Sequence, residues 1–348
     1  MIRRIISHYY LIKLFPILLF ITIAGLLTLS VLAQSGRRAS PPIGEKPNED
    51  NPIVRVKTSE VLLTVTVRNQ YGHLAKDLSQ RDFIVTEDDV RQEITSFNVR
   101  ELPINVVLLL DASGSVFNEM KEIRAAAIQF VEQLRPEDKV SIIQFADKVE
   151  LIQNWTSNID DLRHAINWRY RPGEATHLWD AVFLAGEEKL AQVEGRKAMI
   201  ILTDGDDTQS KITREQAYWA TMRSGTSVYV ISKVSAIAEK LTREYGGLGG
   251  RIAGTKGQVD EIIGHLRAAE ATMLEFTQKT GGRLFSPIKP AELTDAYVQI
   301  AEELKNQYLI TYISSNDRRD GGFRTLKVLL TRPGLLVNAK EGYIAPKD

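Results

Sequence analysis

The chain has 348 residues, 44 basic and 44 acidic side chains, and 43% apolar residues. At roughly 150 residues per domain, that length predicts two domains with ordinary globular cores. A net charge of zero argues against nucleic acid as the partner, because such proteins carry a basic excess or stripe. The lack of cysteine excludes disulfides, thiolate metal sites, a cysteine nucleophile and lipoprotein-type acylation.

Arg3, Arg4 and Lys13 precede an apolar run over 14–32, and Val31-Leu32-Ala33 offers small residues where a signal peptidase reads. Residues 1–33 are therefore expected to be a secretory signal. The run 14–32 also has the length of an uncleaved inner-membrane anchor with its positive end inside. Either reading exports the rest of the chain to the periplasm or beyond. Residues 34–52 are polar and rich in Pro, Ser, Gly and charge, which predicts a disordered tether.

From Ile53 to Arg68 apolar and polar residues alternate, as in a half-buried strand or strand pair. Phe83-Ile84-Val85 and Ile94 to Val99 are further short strands, separated by Glu87-Asp88-Asp89. Asn105 to Leu110 is instead continuously apolar, the pattern of a parallel strand covered on both faces. A helix with Ile123, Ala127, Phe130, Val131 and Leu134 on one side follows. Strands at Val140–Phe145, Val149–Gln153, Lys197–Thr203, Ser227–Ser232 and Arg283–Ser286 then alternate with helices at Ile159–Ile166, Leu178–Leu190, Thr213–Met222, Ala269–Lys279 and Ala291–Lys305. This rhythm predicts an open, doubly wound, mostly parallel α/β sheet over 103–305. A glycine-rich excursion near 234–267 interrupts it and is expected to be a flexible surface loop with short helices. Its glycines miss the dinucleotide fingerprint, because Ile252 stands where the third glycine belongs. After Lys305 the chain turns β again, at Tyr308–Ile313, Phe323–Thr331 and Leu335–Ala339, with Asp320-Gly-Gly322 as a hairpin signal. The flanks 53–102 and 306–348 are each short to stand alone. They are expected to pair into one sandwich-like domain into which the α/β domain is inserted.

Asp111, Ser113 and Ser115 lie two apart directly after a buried strand, so their oxygens can project to one side of an extended loop. That loop occupies the carboxyl end of a parallel strand, where open α/β sheets place ligands. A carboxylate and hydroxyls are hard donors suited to Mg²⁺, Mn²⁺ or Ca²⁺, not zinc. Thr176, in Gly173-Glu-Ala-Thr-His-Leu178, and Asp204, in Leu202-Thr-Asp-Gly205, stand at two other strand ends.

The run Asp111-Ala-Ser-Gly-Ser115 resembles the Asp-x-Ser-x-Ser signature of von Willebrand factor type A domains. Thr176 before Leu178-Trp-Asp-Ala, and Leu202-Thr-Asp-Gly205, match that family's second and third metal loops in order and rough spacing. The resemblance spans about Pro103 to Lys305 and implies a metal-ion-dependent adhesion site. There Asp111, Ser113, Ser115 and Thr176 would hold Mg²⁺, some through water, and Asp204 would act through water. An acidic group of a protein or other ligand would fill the open coordination position. The order β segment, inserted metal domain, β segment, with Asp320-Gly-Gly-Phe-Arg324 and Glu341-Gly-Tyr343, also resembles a bacterial group of such proteins described chiefly from acidobacteria.

Plainer readings stand beside these. Asp111, Ser113, Ser115 and Thr176 could be helix caps, and Asp204 a turn residue. Asp206 and Asp207 fit solvated turn positions. His177 next to Thr176 raises a Ser-His-Asp hydrolase, but the Gly-x-Ser-x-Gly elbow is missing; a rim position suits it better. A structural envelope protein whose metal ties loops together, or a metal-dependent hydrolase using His177 or Glu174 as base, remain alternatives to a binding module. Trp155, Trp168, Trp179 and Trp219 are expected to pack in the core or at its edge.

Overall fold

A computed structural model describes residues 60–98, 102–245 and 256–347, apart from the side chain of Ser115. All of these belong to one compact unit, Val56–Asp348. The signal or anchor over 1–33, the tether over 34–52, the first residues of the alternating run and the glycines between 246 and 255 lie outside the described residues.

The first flank supplies β1 (Glu60–Asn69), β2 (Phe83–Glu87), β3 (Val90–Gln92) and β4 (Ile94–Asn98). β3 is an element the sequence analysis missed. Asp88 and Asp89 join it to β2 in a two-residue turn with φ of 48° and 64°. Both positions need the left-handed region, which Asp tolerates better than most residues. The acidic pair that looked like a separator is the turn itself.

β5 (Ile104–Asp111) opens the α/β unit, followed by α1 (Met120–Gln133), β6 (Lys139–Phe145) and β7 (Val149–Thr156). Next come α2 (Ile159–His164), α3 (Leu178–Phe183), β8 (Arg196–Thr203), α4 (Arg214–Ser224) and β9 (Ser227–Ser232). α5 (Val234–Tyr245), α6 (Lys256–Thr280), β10 (Leu284–Phe285) and α7 (Pro290–Lys305) complete it. The six strands lie in the order β10-β9-β8-β5-β6-β7, parallel except for β7. Alternation within the apolar runs distributes side chains to two cores. Val106, Leu108 and Leu110 join α1 and α7 on one face, and Val107 and Leu109 join α3, α4 and α6 on the other. The fold is thus doubly wound. Among the described residues no helix is long and apolar enough to cross a membrane.

The excursion differs from its expectation. Its described parts are two helices, α5 and the 25-residue α6, which starts 13 residues before the expected Ala269. Ala238, Val259 and Ile263 form a small apolar cluster between them. Glycine density had outweighed the helical spacing of Val259, Ile263 and Leu266.

The second flank supplies β11 (Tyr308–Ile313), β12 (Phe323–Leu330), β13 (Leu335–Asn338) and β14 (Gly342–Ile344). Both flanks contribute to both of two antiparallel sheets, ordered β13-β1-β11-β4 and β14-β12-β2-β3. Leu63 is opposite Ile310 in one sheet, and Val85 opposite Val328 in the other. One core, with Val61, Leu63, Val65, Phe83, Val85, Tyr308, Ile310 and Leu326, joins them. Buried Glu87 ties the sheets further, accepting from the hydroxyls of Tyr312 (2.6 Å), Ser314 (2.6 Å) and Tyr343 (3.0 Å). Asp320-Gly-Gly322 does turn, with φ of 71° at Gly321, but it is not a hairpin. β11 and β12 belong to different sheets, because each pairs with a strand from the first flank.

The antiparallel sheets meet the α/β unit at the amino ends of its parallel strands. The Thr64 hydroxyl contacts that of Ser227, at the start of β9, at 3.3 Å. Arg196, at the start of β8, donates to the carbonyls of Leu102 (2.8 Å) and Leu304 and to the Gln307 side chain (2.8 Å). Glu303 of α7, only 2% exposed, pairs with Arg68 of β1 and with Arg283 at 2.9 Å. Glu303→Ala leaves Arg68, whose side chain is only 13% exposed, without its acid, so unfolding in urea should show a loss approaching about 3 kcal/mol. Arg283 is 37% exposed, and Arg283→Ala should cost under about 1 kcal/mol. Equally small losses would mean that Arg68 stays hydrated.

Candidate metal centre

Hydrogen-bonded strand pairing fixes where the first and third loops leave the sheet. Asp111 ends β5 opposite Phe145 of β6, and Leu110 lies opposite Leu202 of β8, two residues before Asp204. The Asp111 and Asp204 loops therefore leave the carboxyl edge, away from the antiparallel sheets, whereas Thr176, expected at a strand end, lies between the turn Ala165–Arg169 and α3 and joins them through contact with the first loop. Asp111 is fully buried, and Ser113, Thr176 and Asp204 are 2%, 5% and 5% exposed.

Asp111 is held on both oxygens. Its Oδ1 accepts the Ser113 amide at 2.9 Å, and its Oδ2 accepts the Thr203 hydroxyl at 2.9 Å. Thr203 in turn accepts the amide of Gly205 at 3.0 Å, where φ is +80°. That left-handed position suits glycine and turns the third loop back over the site. The Tyr170 hydroxyl donates to the Asp111 carbonyl. Dehydration and the nearby charge of Asp204 push the Asp111 carboxyl up to about 7, against opposing hydrogen bonds from Ser113 and Thr203.

The Thr176 loop is pinned from both sides. The Gly173 amide donates to the Ala112 carbonyl at 2.8 Å. A Cβ on Gly173 would meet that of Ala146 at 2.6 Å, so only glycine allows this approach. Asp147 Oδ1 accepts the Ala175 (2.8 Å) and Glu174 (2.9 Å) amides, which hold its carboxyl below the usual range. From the third loop, Thr208 Oγ1 accepts the Thr176 amide at 2.9 Å, and the Thr208 amide donates to the Thr176 carbonyl at 3.1 Å.

These bonds bear on the capping alternative. The first amides of α3 are capped by other residues: Leu178 by Asp207 Oδ1 at 2.8 Å and Asp180 by Ser210 Oγ at 3.1 Å. Thr176 is not required as a cap. Asp207 is thus a clasp between loops and not a solvated turn residue. Asp206 is partly exposed and contacts His265 of α6 at 3.3 Å. Asp204 Oδ1 accepts the Asp206 amide at 3.1 Å, so Asp204 does shape its own turn. His177 Nδ1 lies 2.7 Å from the Ala146 carbonyl oxygen, which occupies one ring nitrogen in a structural bond.

The structure therefore brings Asp111, Ser113, Thr176 and Asp204 into three interlocked loops. Ser115 lies in the short turn Gly114–Glu119, and its side chain is outside the described residues. Tyr170, Asp147 and Thr208 were not singled out from the sequence, Thr203 was quoted there only within the Leu202–Gly205 run, and Asp207 was expected at a solvated turn position. Thr203 looked like the end of an apolar strand, and the others gave no motif. Among the described residues no three His, Cys, Asp or Glu side chains gather as a metal cluster. Two carboxyls with hydroxyls are a different donor set, and it fits a hard divalent cation: a cation beside Asp111 would offset the dehydration and the Asp204 repulsion that raise its pKa.

Residues 105–245 match the family model of the von Willebrand factor type A domain. Inter-alpha-trypsin inhibitor heavy chain H4 of Bos taurus is 26% identical over 171 residues, which is 43% of this chain. The match spans 19% of that relative's length, so the likeness concerns about a fifth of it. Among solved structures, the vWF domain of the type V pili tip protein Mfa5 from Porphyromonas gingivalis aligns at 12% identity with a TM-score of 0.43, covering 58% of this chain and 95% of that one. An aerotolerance-related membrane protein from Bacteroides fragilis aligns at 16% identity and TM-score 0.40, covering 58% and 98%.

An acid whose folded pKa exceeds its unfolded value of 3.8 destabilises the fold as it ionises. In chelator, the stability contributed by protonated Asp111 should fall as pH rises from about 4 to about 7. Urea midpoints at pH 5 and pH 7 should therefore drop more for the wild type than for Asp111→Asn. Parallel drops would contradict this.

Proposed function

We propose, from the match of residues 105–245 to the von Willebrand factor type A domain model, that the chain is an exported binding module that captures a partner through a divalent cation. Asp111, Ser113, Ser115 and Thr176 would hold the ion, Mg²⁺ in the first instance with Mn²⁺ or Ca²⁺ as substitutes, and Asp204 would act through water. The observation that carries this reading is the buried Asp111 carboxyl beside Asp204, flanked by Ser113 and Thr176 at one edge of the sheet.

The chemistry follows from the donors. A bound cation would lower the pKa of Asp111 and convert like-charge repulsion into shared attraction. With two carboxylates at most, and one of them acting through water, the ion keeps residual positive charge. An open position on it would favour a carboxylate from the partner over neutral oxygens. Thr203 and Ser113 hold Asp111 in place, while Asp147, Thr208 and Asp207 fix the Thr176 loop. These bonds leave the chain's residues with positioning work and no evident proton transfer. With Nδ1 of His177 engaged by the Ala146 carbonyl, a binding role suits the site better than hydrolysis.

The proposed domain arrangement is residues 103–305 as the inserted metal domain and 53–102 with 306–348 as the sandwich beneath it. The segment 1–33 would export the chain, with 14–32 retaining it at the inner membrane if uncleaved, and 34–52 would act as tether. The metal loops then point away from the antiparallel sheets, toward whatever the chain meets outside the cytoplasm.

Immobilised full chain exposed to an envelope extract should retain a defined set of proteins in Mg²⁺ and release them in EDTA. The Asp111→Ala chain, shown to be folded by circular dichroism, should retain none of them. The same set held in EDTA, or by the variant, overturns the reading. Strong thermal stabilisation by Mg²⁺ without any captured protein would favour a structural metal instead.

A further inference from the structure

A groove of about 400 Å³ between α1 and the turn after α2 is lined by Lys121, Arg124, Ala125, Ile128, Asn167 and Trp168. Lys121, Arg124 and Ile128 recur three and four residues apart on α1, so they share one face. Asn167 and Trp168 come from the turn Ala165–Arg169 that follows α2. The floor is apolar: Ile128 packs against the main core. Trp168 is 64% exposed, unlike a tryptophan spent on core or edge packing.

The charges in this groove are uncompensated. Neither Lys121 nor Arg124 forms an ion pair among the described residues. Arg124 donates one bond to the Tyr170 carbonyl at 2.8 Å, and its guanidinium carbon lies 5.6 Å from the centre of the Tyr170 ring. Its Nε is buried without a hydrogen-bond partner, a donor that folding leaves unsatisfied. Tyr170 also donates to the Asp111 carbonyl. Tyr170 is itself buried, so it lies behind the groove and connects Arg124 of its lining to the Asp111 loop.

We propose that this groove holds an acidic segment of the captured partner protein, with a carboxylate at Lys121 and Arg124 and an apolar side chain against Trp168, Ala125 and Ile128. Two unpaired cations beside an exposed aromatic complement that combination. The apolar floor favours a peptide over an acidic sugar, whose hydroxyls would lose water against Ala125 and Ile128. The groove would add specificity to a metal bridge that any carboxylate could make. The proposal rests on the metal reading only in taking the partner to be a protein.

The full chain labelled with 5-fluorotryptophan gives four fluorine signals, one per tryptophan, and Trp168→Phe identifies that of Trp168. In EDTA, which removes the metal site from play, acetyl-Glu-Phe-Glu amide should shift the Trp168 signal saturably. Lys121→Glu should weaken this binding about tenfold or more, because it reverses an exposed charge without disturbing the core. No saturable shift overturns the proposal, as does an equal shift by acetyl-Lys-Phe-Lys amide. A shift by oligogalacturonate with the peptide silent overturns the choice of a peptide. A chain that shows the peptide shift but binds no Mg²⁺ sinks the metal reading alone. One that binds Mg²⁺ without the shift sinks the groove alone.

Discussion

Burial of the Asp111 carboxyl, with Asp204 beside it, is the constraint on which the loop edge of this molecule depends. Burial alone makes an ionised carboxyl costly, and a second one nearby raises that cost. The surrounding bonds act against it: the Ser113 amide and Thr203 hydroxyl each stabilise the charged form of Asp111. They do not suffice, since its pKa still rises to about 7. The site is thus organised around a charge that the chain's own side chains compensate only in part. On the proposed reading a cation would complete it, and capture of a partner's acid would follow from the charge left on that cation.

The rest of the architecture keeps this arrangement in place and in view. Parallel pairing of β5 with β6 and β8 sets the strand ends level, so loops distant in sequence meet without long connections. Gly173 and Gly205 permit the close approaches, and Asp147, Thr208 and Asp207 lock the loops to one another. At the opposite edge, Glu303 with Arg68, and Arg196 with the Leu102 and Leu304 carbonyls, join the α/β unit to the antiparallel sheets. That joint lies at the edge opposite the one that carries the three loops.

Much of this was legible in the residues. The continuous apolar run at Asn105–Leu110 announced a strand covered on both sides, and the Asp111 and Asp204 loops followed from strand ends, whereas Thr176 precedes α3 and follows no strand. Period-two alternation at Val61–Val67 and Tyr308–Ile313 located strands that pair in the fold. What failed did so for physical reasons. Asp88-Asp89 was read by charge, whereas its backbone conformation makes the β2–β3 turn. Asp320-Gly-Gly322 was read as local pairing, but pairing there is decided by strands more than 200 residues away. Supports such as Tyr170 and Asp207 act through single hydrogen bonds across loops, which leave no spacing to detect. Lys121 and Trp168 gave no signal because their meaning depends on α1 and the Ala165–Arg169 turn lying side by side.

Isothermal titration of the full chain with Mg²⁺ addresses the site itself. One ion should bind per chain, the heat should vanish in Asp111→Ala, and Asp204→Asn should weaken it. Absence of binding, or binding unchanged in Asp111→Ala, would contradict the account.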